Sequence, residues 1–409
     1  MAVHVIDEAN RCLNCKRPMC REGCPIHTAI PDMIKAFKEG NLNEAGEMLF
    51  ENNPMSVICS LVCNHENQCE GHCVLGRKGE PVHISSIENY VSDTYFDKMK
   101  IPCEPKNGKK VAVIGAGPAG ITIAVMLTKK GYEVTIFDSR DKIGGVLQYG
   151  IPEFRLPKTI LERYKKKLRE IGVKIRPNTT IGGALEIKDL FRDGYQSIFI
   201  GTGVWRPKTL GIKGESLGNV HFAIDYLANP DAYELGQNVA IIGMGNSAMD
   251  VARTALRKGA GNVTLYARGL TGNASQHEFT YAQLDGAHME FEKQIVEIND
   301  DGPVFRNVLH DEAGNQIGIS EDQIQVHADS VIISISQGPK SKLVNTTEGL
   351  KASESGLLMT NHFGETTHPG IFAAGDVVLG AKTVVEATAY SKIVADAMDS
   401  YMRGEPETA

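Results

Sequence analysis

Two segments of this sequence repeat one plan, in which an apolar strand leads into a glycine-rich turn, a helix and a second strand: 109–138 and 239–268. The turn and first helical residues of the first copy are Gly115, Gly117, Pro118, Ala119 and Gly120. Glycines at this spacing let the backbone approach a pyrophosphate, which then rests on the helix N-terminus. Asp138 follows at the distance, about 20 residues, at which a carboxylate reaches an adenosine ribose. The first copy therefore predicts a dinucleotide-binding, Rossmann-like domain.

The second copy differs from the first at the residue expected to face the ribose. Its turn and first helical residues are Gly243, Gly245, Asn246, Ser247 and Ala248. Its second strand is predicted to end in Arg268, whose guanidinium suits the 2′-phosphate of NADP(H), since no carboxylate repels it. The alternative is that Arg268 is only a solvated charge, in which case NAD(H) remains open. Two such motifs in one chain predict one flavin and one nicotinamide cofactor.

A third signal lies near the C-terminus, where Gly375 and Asp376 follow a short apolar strand. A carboxylate here can hold a flavin ribityl chain, and a helix predicted to open near Thr383 would stabilise negative charge on the reduced ring. Taken alone, Gly-Asp is equally typical of an ordinary β-turn. Two further strands, one ending at Gly203 and one reaching Gly338, predict where the chain leaves the flavin domain and returns to it.

All nine cysteines lie within the first 103 of 409 residues. By spacing they form two groups of four and one isolated thiol, namely Cys12, Cys15, Cys20 and Cys24; Cys59, Cys63, Cys69 and Cys73; and Cys103. In a reducing compartment such a cluster indicates metal or redox chemistry rather than disulfides. Two groups of this size suffice for two 4Fe–4S clusters, with structural zinc and a dithiol pair as the alternatives. The sequences IPDMIKAFKEG and NEAGEMLFENN, between the groups, predict two short helices.

Charge and hydropathy exclude several other classes of protein. The net charge of −7 leaves no basic excess for a general nucleic-acid binder. No apolar run reaches the roughly 18–20 residues that span a bilayer, and the N-terminus lacks the pattern of a secretory signal. We therefore expect a cytoplasmic protein without nucleic-acid binding or membrane insertion.

Three stretches of the chain closely resemble one protein family: QCEGHCVLGRKGEPV (68–82), GGVLQYGIPEFRLPK (144–158) and GNSAMDVARTALRKGA (245–260). That family includes the small subunit of bacterial glutamate synthase, the N-terminal half of dihydropyrimidine dehydrogenase and the larger subunit of NADH-dependent reduced ferredoxin:NADP oxidoreductase. The resemblance implies an α/β fold in which a small helical iron–sulfur domain precedes two Rossmann-like domains, with the NAD(P)H domain inserted in the FAD domain. The implied limits are 1–105 for the iron–sulfur domain, 106–220 and 339–409 for the FAD domain, and 221–338 for the NAD(P)H domain.

The resemblance also implies which residues hold two 4Fe–4S clusters. One cluster would be bound by Cys12, Cys15, Cys20 and Cys73, and the other by Cys24, Cys63, Cys69 and Glu88. Cys59 would then hold no iron, although spacing alone groups it with the ligands. The alternative for Glu88 is a surface carboxylate on a helix.

The function that the resemblance implies is electron transfer. The implied FAD contacts are Gly145, Val146, Leu147 and Arg155, and Gly338 would lie near the nicotinamide. Such a subunit moves a hydride between NAD(P)H and FAD and relays single electrons through the two clusters to a partner catalytic subunit. Hydride transfer depends on ring alignment and water exclusion, so we expect no catalytic acid or base.

Other functions have to be weighed against this one. The partner would resemble the catalytic part of dihydropyrimidine dehydrogenase or the large subunit of glutamate synthase; the alternative is a ferredoxin-linked or electron-bifurcating NAD(P) oxidoreductase complex. A redox sensor or scaffold without turnover is a candidate of another class. A self-contained disulfide reductase would need a cysteine pair near the flavin, and the sequence has no cysteine after Cys103.

Overall fold

The structure of the protein, a computed structural model, describes residues 4–405 and divides into two compact units. The first unit runs through Leu147, resumes over Glu153–Val204 and returns from Gly338 onward. The second unit comprises Gln148–Pro152 and Trp205–Gln337. The second unit is therefore inserted within the chain of the first.

The cysteine-rich start of the first unit is helical. Its helices are α1 (Val5–Arg11), α2 (Met19–Glu22), α3 (Ile30–Lys38), α4 (Leu42–Asn52), α5 (Ser56–Val62) and α6 (Ile84–Lys98), with 3-10 turns at His65–Asn67 and Val74–Arg77. α3 buries Ile30, Met33 and Ile34, whose spacing of three and four residues places them on one face. They share a core with Ile87 and Val91 of α6, and several cysteines pack against this core. The core thus positions the cysteine loops.

A Rossmann-like half follows in the same unit. Its elements are β1 (Lys110–Ile114), α7 (Pro118–Lys129), β2 (Glu133–Phe137), α8 (Val146–Tyr149), α9 (Lys158–Glu170), β3 (Lys174–Arg176), α10 (Ile187–Arg192) and β4 (Tyr195–Ile200). β1 is buried from Val111 to Ile114, as expected of a parallel strand covered on both faces. β1 pairs in parallel with β2 and β4, so the carboxyl ends of these strands meet at the edge where the glycine turn lies.

The second unit has a parallel sheet and an antiparallel sheet. Its elements are β5 (Arg206–Pro207), β6 (Val220–Phe222), α11 (Ala223–Ala228), β7 (Asn238–Ile242), α12 (Asn246–Arg257), β8 (Asn262–Tyr266), α13 (Gln276–Leu284), β9 (His288–Glu290), β10 (Lys293–Asn299), β11 (Gly302–His310), β12 (Gln316–Gln325), β13 (Ser330–Ile333) and β14 (Gln337–Gly338). The parallel sheet has the order β6-β13-β7-β8-β9, and the antiparallel sheet has the order β10-β11-β12. α12 buries Ala248, Met249 and Val251 in the core that contains Val239 and Leu265 of β7 and β8.

The C-terminal segment returns to the first unit. Its elements are α14 (Lys342–Asn345), β15 (Ile371–Ala373), α15 (Asp376–Leu379) and α16 (Val384–Arg403). β15 pairs in parallel with β4 and completes a sheet in the order β15-β4-β1-β2-β3. α16 packs on α7, which places the C-terminal segment beside the first glycine turn. Within residues 4–405, no helix is both long enough and apolar enough to cross a membrane.

The chain enters the second unit after Val204, which is earlier than the limit of 220 that the sequence suggested. Leu210, Ile212 and Leu217 explain the difference, because all three pack against the core around Phe305 of β11. The segment between the two limits therefore has its apolar contacts in the second unit.

Candidate cofactor and iron–sulfur sites

The first glycine turn is shaped by contacts that leave no room for a side chain. Gly115 has φ +104°, and a Cβ there would lie 2.5 Å from the carbonyl oxygen of Gly201, just after β4. A Cβ on Gly120 would overlap the carbonyl oxygen of Gly115. Gly117 caps α7 and Pro118 begins it, so the first N–H groups of the helix have no intrahelical acceptor. The turn thus offers the close backbone approach that a pyrophosphate needs.

Asp138 lies next to this turn, immediately after β2. Its carboxylate accepts hydrogen bonds from the backbone N–H groups of Ala116, at 2.6 Å, and Arg140, at 2.8 Å. Burial raises the pKa of Asp138, although both of these donors act to lower it. The carboxylate and the turn are therefore held together, which supports a contact between Asp138 and a ribose.

The loop predicted to face the flavin ring lies against the same turn. Gly145 has φ +55°, and a Cβ there would lie 2.9 Å from the Cα of Gly117. The Nζ of Lys158 donates a hydrogen bond to the carbonyl oxygen of Leu147 at 2.7 Å, which ties the loop to the start of α9. Arg155 is half-buried in the turn just before α9. The structure therefore brings the Gly145 loop and the pyrophosphate turn together.

Gly375 and Asp376 reach the N-terminal end of α7. Gly375 has φ +76°, and a Cβ there would lie 3.1 Å from the Cβ of Ala119. The carboxylate of Asp376 accepts a hydrogen bond from the backbone N–H of Lys382 at 3.2 Å. Burial raises the pKa of Asp376 to about 6, and the nearby carboxylate of Glu386 adds to the effect. A largely buried carboxylate beside the glycine turn supports the ribityl contact over an ordinary surface turn.

Thr383 caps the N-terminus of α16. Its backbone N–H donates to the carboxylate of Glu386 at 2.9 Å, and its hydroxyl accepts from the backbone N–H of Glu386 at 3.4 Å. This capping box fixes the start of a 20-residue helix a few residues after Asp376. The helix N-terminus carries partial positive charge, which suits a reduced flavin ring.

The second glycine turn repeats the geometry of the first. Gly243 has φ +129°, and a Cβ there would overlap the carbonyl oxygen of Ser334, just after β13. Gly245 caps α12. The Oδ1 of Asn246 accepts a hydrogen bond from the backbone N–H of Ser275 at 2.8 Å, so the segment before α13 is tied to the start of α12. This turn can also receive a pyrophosphate.

The remaining residues of the second motif differ in exposure. Ala248 is fully buried, which allows α12 to pack closely on the sheet, whereas Ser247 is exposed. Arg268 is exposed in the loop after β8, which ends at Tyr266 rather than at Arg268 as the sequence suggested. The guanidinium is therefore accessible to a 2′-phosphate at the carboxyl end of β8.

Gly203 and Gly338 lie close to two of the places where the chain passes between the compact units, at either end of Trp205–Gln337. Gly203 has φ +68° and comes immediately before the crossing between Val204 and Trp205. Gly338 ends β14 and is the first residue after the return crossing. The position of Gly338 near the nicotinamide stays a prediction.

The first set of predicted iron ligands lines one cavity. Its four thiols are Cys12, Cys15, Cys20 and Cys73, and the apolar lining includes Leu13, Met19 and Ile34. Burial first, and then the neighbouring thiols of Cys73, Cys12 and Cys15, raise the pKa of Cys20 to about 11. Arg11 anchors α1 here by donating to the carbonyl oxygen of Pro81 at 3.0 Å and pairing with Glu8 at 2.8 Å. The distant segments that supply Cys12 and Cys73 are thereby joined.

The second set, Cys24, Cys63, Cys69 and Glu88, converges at a more buried place. Burial, and then the charges of Glu88, Glu70 and Cys24, raise the pKa of Cys69. Burial raises the pKa of Glu88 to about 8, and the carboxylate of Glu70 contributes. Glu88 is buried on α6, so the alternative of a surface helix carboxylate is wrong.

The fold groups the cysteines differently from their spacing. Cys73 is close in sequence to Cys63 and Cys69 but lies in the set of Cys12. Cys24 is close in sequence to Cys20 but lies in the set of Cys63 and Cys69. Cys59 lies one helical turn before Cys63 and is 2% exposed. A hydrogen bond between these two thiols, followed by burial, raises the pKa of Cys63. Cys59 thus contacts the second set, and its exclusion from the ligands stays a prediction.

The first donor set fits a multi-iron cluster. Its four thiols border a single cavity with an apolar lining, as a cluster requires. Cys103 is exposed and lines no part of that cavity.

Sequence reasoning missed several residues at these sites. Gly201 provides the carbonyl oxygen against which Gly115 packs, and the small residues of IFIGTG were its signal. Leu13 and Met19 border the first cavity, and both alternate with cysteines in CLNCKRPMC. Glu70, which raises the pKa of Glu88, had no signal, since an acid in a polar loop is ordinarily solvated.

Two protein-family models match the chain. The model described as dihydropyrimidine dehydrogenase domain II, 4Fe-4S cluster, matches residues 2–100. The model described as pyridine nucleotide-disulphide oxidoreductase matches residues 74–190 and 109–391. The two matches confirm the predicted order of an iron–sulfur part followed by a two-dinucleotide-binding part.

Curated proteins and solved structures agree with these matches. The chain is 35% identical to the glutamate synthase (NADPH) small chain of Azospirillum brasilense, over 98% of this chain and 90% of that protein. It is 32% identical to the NAD-dependent dihydropyrimidine dehydrogenase subunit PreT homolog of Salmonella typhi, over 97% of this chain and 94% of that protein. FprA of Mycobacterium tuberculosis in complex with NADPH has a TM-score of 0.62 at 17% identity, covering 74% of this chain and 85% of FprA, which shows a shared fold.

Proposed function

The chain belongs to the glutamate synthase small-chain family of pyridine nucleotide-disulphide oxidoreductases, and on that premise we propose that it feeds electrons from NAD(P)H to a partner protein. As a member of this family it is an FAD-dependent NAD(P)H oxidoreductase with an N-terminal 4Fe–4S domain. When bound, FAD supplies hydride chemistry and iron–sulfur clusters supply single-electron transfer. Our proposal adds that there are two clusters and that they pass electrons to a partner protein.

The convergence of two separate donor sets carries this proposal. The set of Cys12, Cys15, Cys20 and Cys73 is partly exposed, whereas Cys69 and Glu88 of the second set are buried. Both sets lie in the compact unit that also contains Asp138 and Asp376. A first set whose four thiols are all partly exposed, and a second set with two of its four groups buried, lie in the unit with the flavin residues and suit a relay from the ring to the surface.

The chain's own residues bind and orient rather than transfer protons. The N-terminus of α7 and Asp138 would hold the FAD pyrophosphate and ribose, and Asp376 the ribityl chain. The glycine at 145 leaves space beside the turn, and the N-terminus of α16 favours negative charge on the ring. We therefore assign no catalytic acid or base.

Arg268 supports NADP(H) as the coenzyme. Its exposed guanidinium follows β8, where a 2′-phosphate would lie. The name of the A. brasilense relative specifies NADPH, whereas that of the S. typhi relative specifies NAD. The names of both relatives also describe a small chain or a subunit, and we propose that this chain likewise serves a larger catalytic subunit.

Replacement of single cysteines tests this division of labour. We expect Cys20→Ser and Cys69→Ser each to remove about one of two clusters, seen as roughly half the iron and acid-labile sulfide of anaerobically purified protein. NAD(P)H should still bleach the FAD absorbance in both variants, because no flavin residue is changed. Delivery of electrons to a one-electron acceptor protein should fall.

Cys103→Ser is the matched control, because this thiol is exposed and lines no part of the first cavity. It should keep the full iron content and electron delivery. The proposal is wrong if wild-type protein contains zinc instead of iron, or if Cys20→Ser retains FAD and fold but loses the reduction of FAD by NAD(P)H.

A further inference from the structure

The surface around the first cysteine cavity is basic, although the chain as a whole has a net charge of −7. Exposed cations follow each segment that supplies the cavity's cysteines, namely Lys16, Arg17, Arg21, Arg77 and Lys78. Among the described residues, none of these cations is in an ion pair with a carboxylate. The exposed acids in these segments are Glu22, Asp32 and Glu80, so the balance stays positive. Their charge is available to a partner.

The same surface has an apolar centre. Leu13 is 61% exposed and Met19 is 39% exposed, and both line the cavity of the first cysteine set. Large apolar side chains are seldom left in water beside one another without a purpose. An apolar centre with a charged rim is the usual anatomy of a protein–protein interface.

We propose that one surface docks the acidic face of a protein that accepts single electrons. This surface consists of Leu13, Met19, Lys16, Arg17, Arg21, Arg77 and Lys78. The inference rests on the proposed function and specifies the surface charge of the partner that receives the electrons. A positive rim attracts an acidic surface and repels a basic one, and such complementarity acts mainly on the rate of association. The cysteines behind the rim are partly exposed, so a docked centre would come close to the first set.

The overall exchange has a simple balance. NAD(P)H loses two electrons and leaves as NAD(P)⁺ with the release of one proton. Two acceptor molecules then gain one electron each, and in a haem protein each Fe(III) becomes Fe(II). A small one-electron protein therefore has to dock twice for each NAD(P)H, whereas a larger partner subunit can take up both electrons in turn at one docked surface.

Two haem proteins of opposite charge serve as probes under anaerobic conditions: the acidic soluble domain of cytochrome b5 and the basic cytochrome c. For the wild-type holoprotein with NAD(P)H, we expect the second-order rate for cytochrome b5 to fall as salt is added. The rate for cytochrome c should stay level or rise, because screening removes repulsion. Haem absorbance reports both rates.

A charge-reversal variant tests the surface itself. Lys16→Glu with Arg17→Glu should lower the rate for cytochrome b5 by about tenfold or more at low salt, within the range of steering effects. It should raise the rate for cytochrome c. Iron, acid-labile sulfide and FAD contents, and reduction of the uncharged acceptor menadione, verify that the cofactors are intact.

Lys166→Glu with Arg169→Glu is the matched control, because it reverses two exposed charges on α9. α9 meets the C-terminal end of α6 through the pair Arg163–Asp97 at 2.8 Å, whereas the cavity touches the first residue of α6, Ile84. The rate for cytochrome b5 should stay within about twofold of wild type in this control.

The outcomes separate the docking inference from the proposed function. If NAD(P)H reduces both cytochromes but the Lys16/Arg17 variant matches its control, the docking surface is wrong and the relay stands. If NAD(P)H bleaches FAD in wild-type protein but neither cytochrome is reduced, the relay is wrong and the docking surface falls with it.

Discussion

At the scale of single residues, Asp376 shows a conflict between apoprotein stability and cofactor binding. Its pKa is raised to about 6, chiefly by burial, so its charged form is disfavoured in the folded protein. The stabilising contribution of the protonated acid is fully present below about pH 4 and is lost as the pH rises through 6. At neutral pH the folded apoprotein therefore carries a buried charge, which is retained if that carboxylate binds FAD.

We predict that Asp376→Asn makes the FAD-free protein more stable at pH 7.5 by about 1–3 kcal/mol, because the amide has no charge to bury. The gain should shrink as the pH falls below 6 and disappear only below about pH 4, where the acid is protonated in both the folded and the unfolded protein. FAD affinity should fall about tenfold or more, since the anionic acceptor is lost. Denaturant unfolding at pH 7.5 and below about pH 4, and a fluorescence titration with FAD, measure these effects.

Asp322→Asn, at an exposed position on β12, is the control and should change neither quantity. Equal stability of Asp376→Asn and wild type at both pH values would contradict the buried-charge argument. Unchanged FAD affinity would instead contradict the assignment of Asp376 to the flavin site.

The sequence specified some functional residues better than others. The glycine turns were readable because spacing, strand and helix occur together within about 30 residues. The spacing of the cysteines does not predict the two sets, because Cys73 is brought to Cys12 by long-range contacts, among them the hydrogen bond from Arg11 to Pro81. The sequence pattern also did not predict that Glu88 is buried, because its burial depends on how α6 packs. The resemblance anticipated both sets, where local pattern could not.

At the scale of elements, one carboxylate of α16 binds the turn that follows α7. Asp399 of α16 accepts hydrogen bonds from the hydroxyl of Tyr132 at 2.6 Å and from the Nζ of Lys130 at 2.8 Å. Arg403, one turn later, donates to it at 2.9 Å. Burial acts to raise the pKa of Asp399, but the hydrogen bonds from Lys130 and Tyr132 outweigh it and lower the pKa. The network fixes the helix that begins at the flavin site.

We predict that Asp399→Asn lowers the free energy of unfolding by about 1–3 kcal/mol at pH 7, because buried donors lose a charged acceptor. The stabilisation by a carboxylate with a lowered pKa is present above pH 4 and is lost as the pH falls through the lowered value. The difference between variant and wild type should therefore shrink between pH 5 and pH 3. Thermal or denaturant unfolding across this range measures it.

Asp396→Asn is a control on the same helix. Asp396 also pairs with Lys130 at 2.8 Å, but its side chain is 63% exposed. Exposed ion pairs contribute about 0–1 kcal/mol, so this variant should stay close to wild type. If both variants lose the same free energy of unfolding, the stabilisation comes from the ion pairs of Lys130 rather than from the buried network around Asp399.

Element limits were predictable where a periodic pattern exists and not elsewhere. α3 and α4 follow from the apolar spacing of IPDMIKAFKEG and NEAGEMLFENN. The strand predicted to end at Gly203 lies close to the passage after Val204, whereas the domain limit at 220 was placed too late, because the segment up to 219 has only short or irregular structure. Its membership of the second unit is decided by long-range packing of Leu210 and Ile212, which no local pattern reports.

At the scale of the whole molecule, the cysteine-rich helices and the flavin-binding part form one compact unit, although the sequence suggested a separate domain up to residue 105. The hydroxyl of Tyr164 on α9 donates to the carbonyl oxygen of Pro54 at 2.9 Å. Its ring lies 4.5 Å from that of Phe96 on α6. Lys392 of α16 donates to the carbonyl oxygen of Asn52 at 2.6 Å. The polar linker at 103–110 therefore does not separate two independent cores.

This shared core predicts that clusters and FAD are lost together on heating. Tyr164→Ala removes a fully buried ring between the two parts and should lower the free energy of unfolding by about 3–5 kcal/mol. Cluster absorbance and FAD fluorescence, followed in one anaerobic melt, should shift by the same amount. Tyr164→Phe, which removes the hydroxyl and its hydrogen bond to Pro54 but keeps the ring, should cost about 1 kcal/mol. If the cluster signal is lost at a lower temperature while FAD stays bound, the two parts unfold separately, and the electron outlet can be lost while the flavin site stays intact.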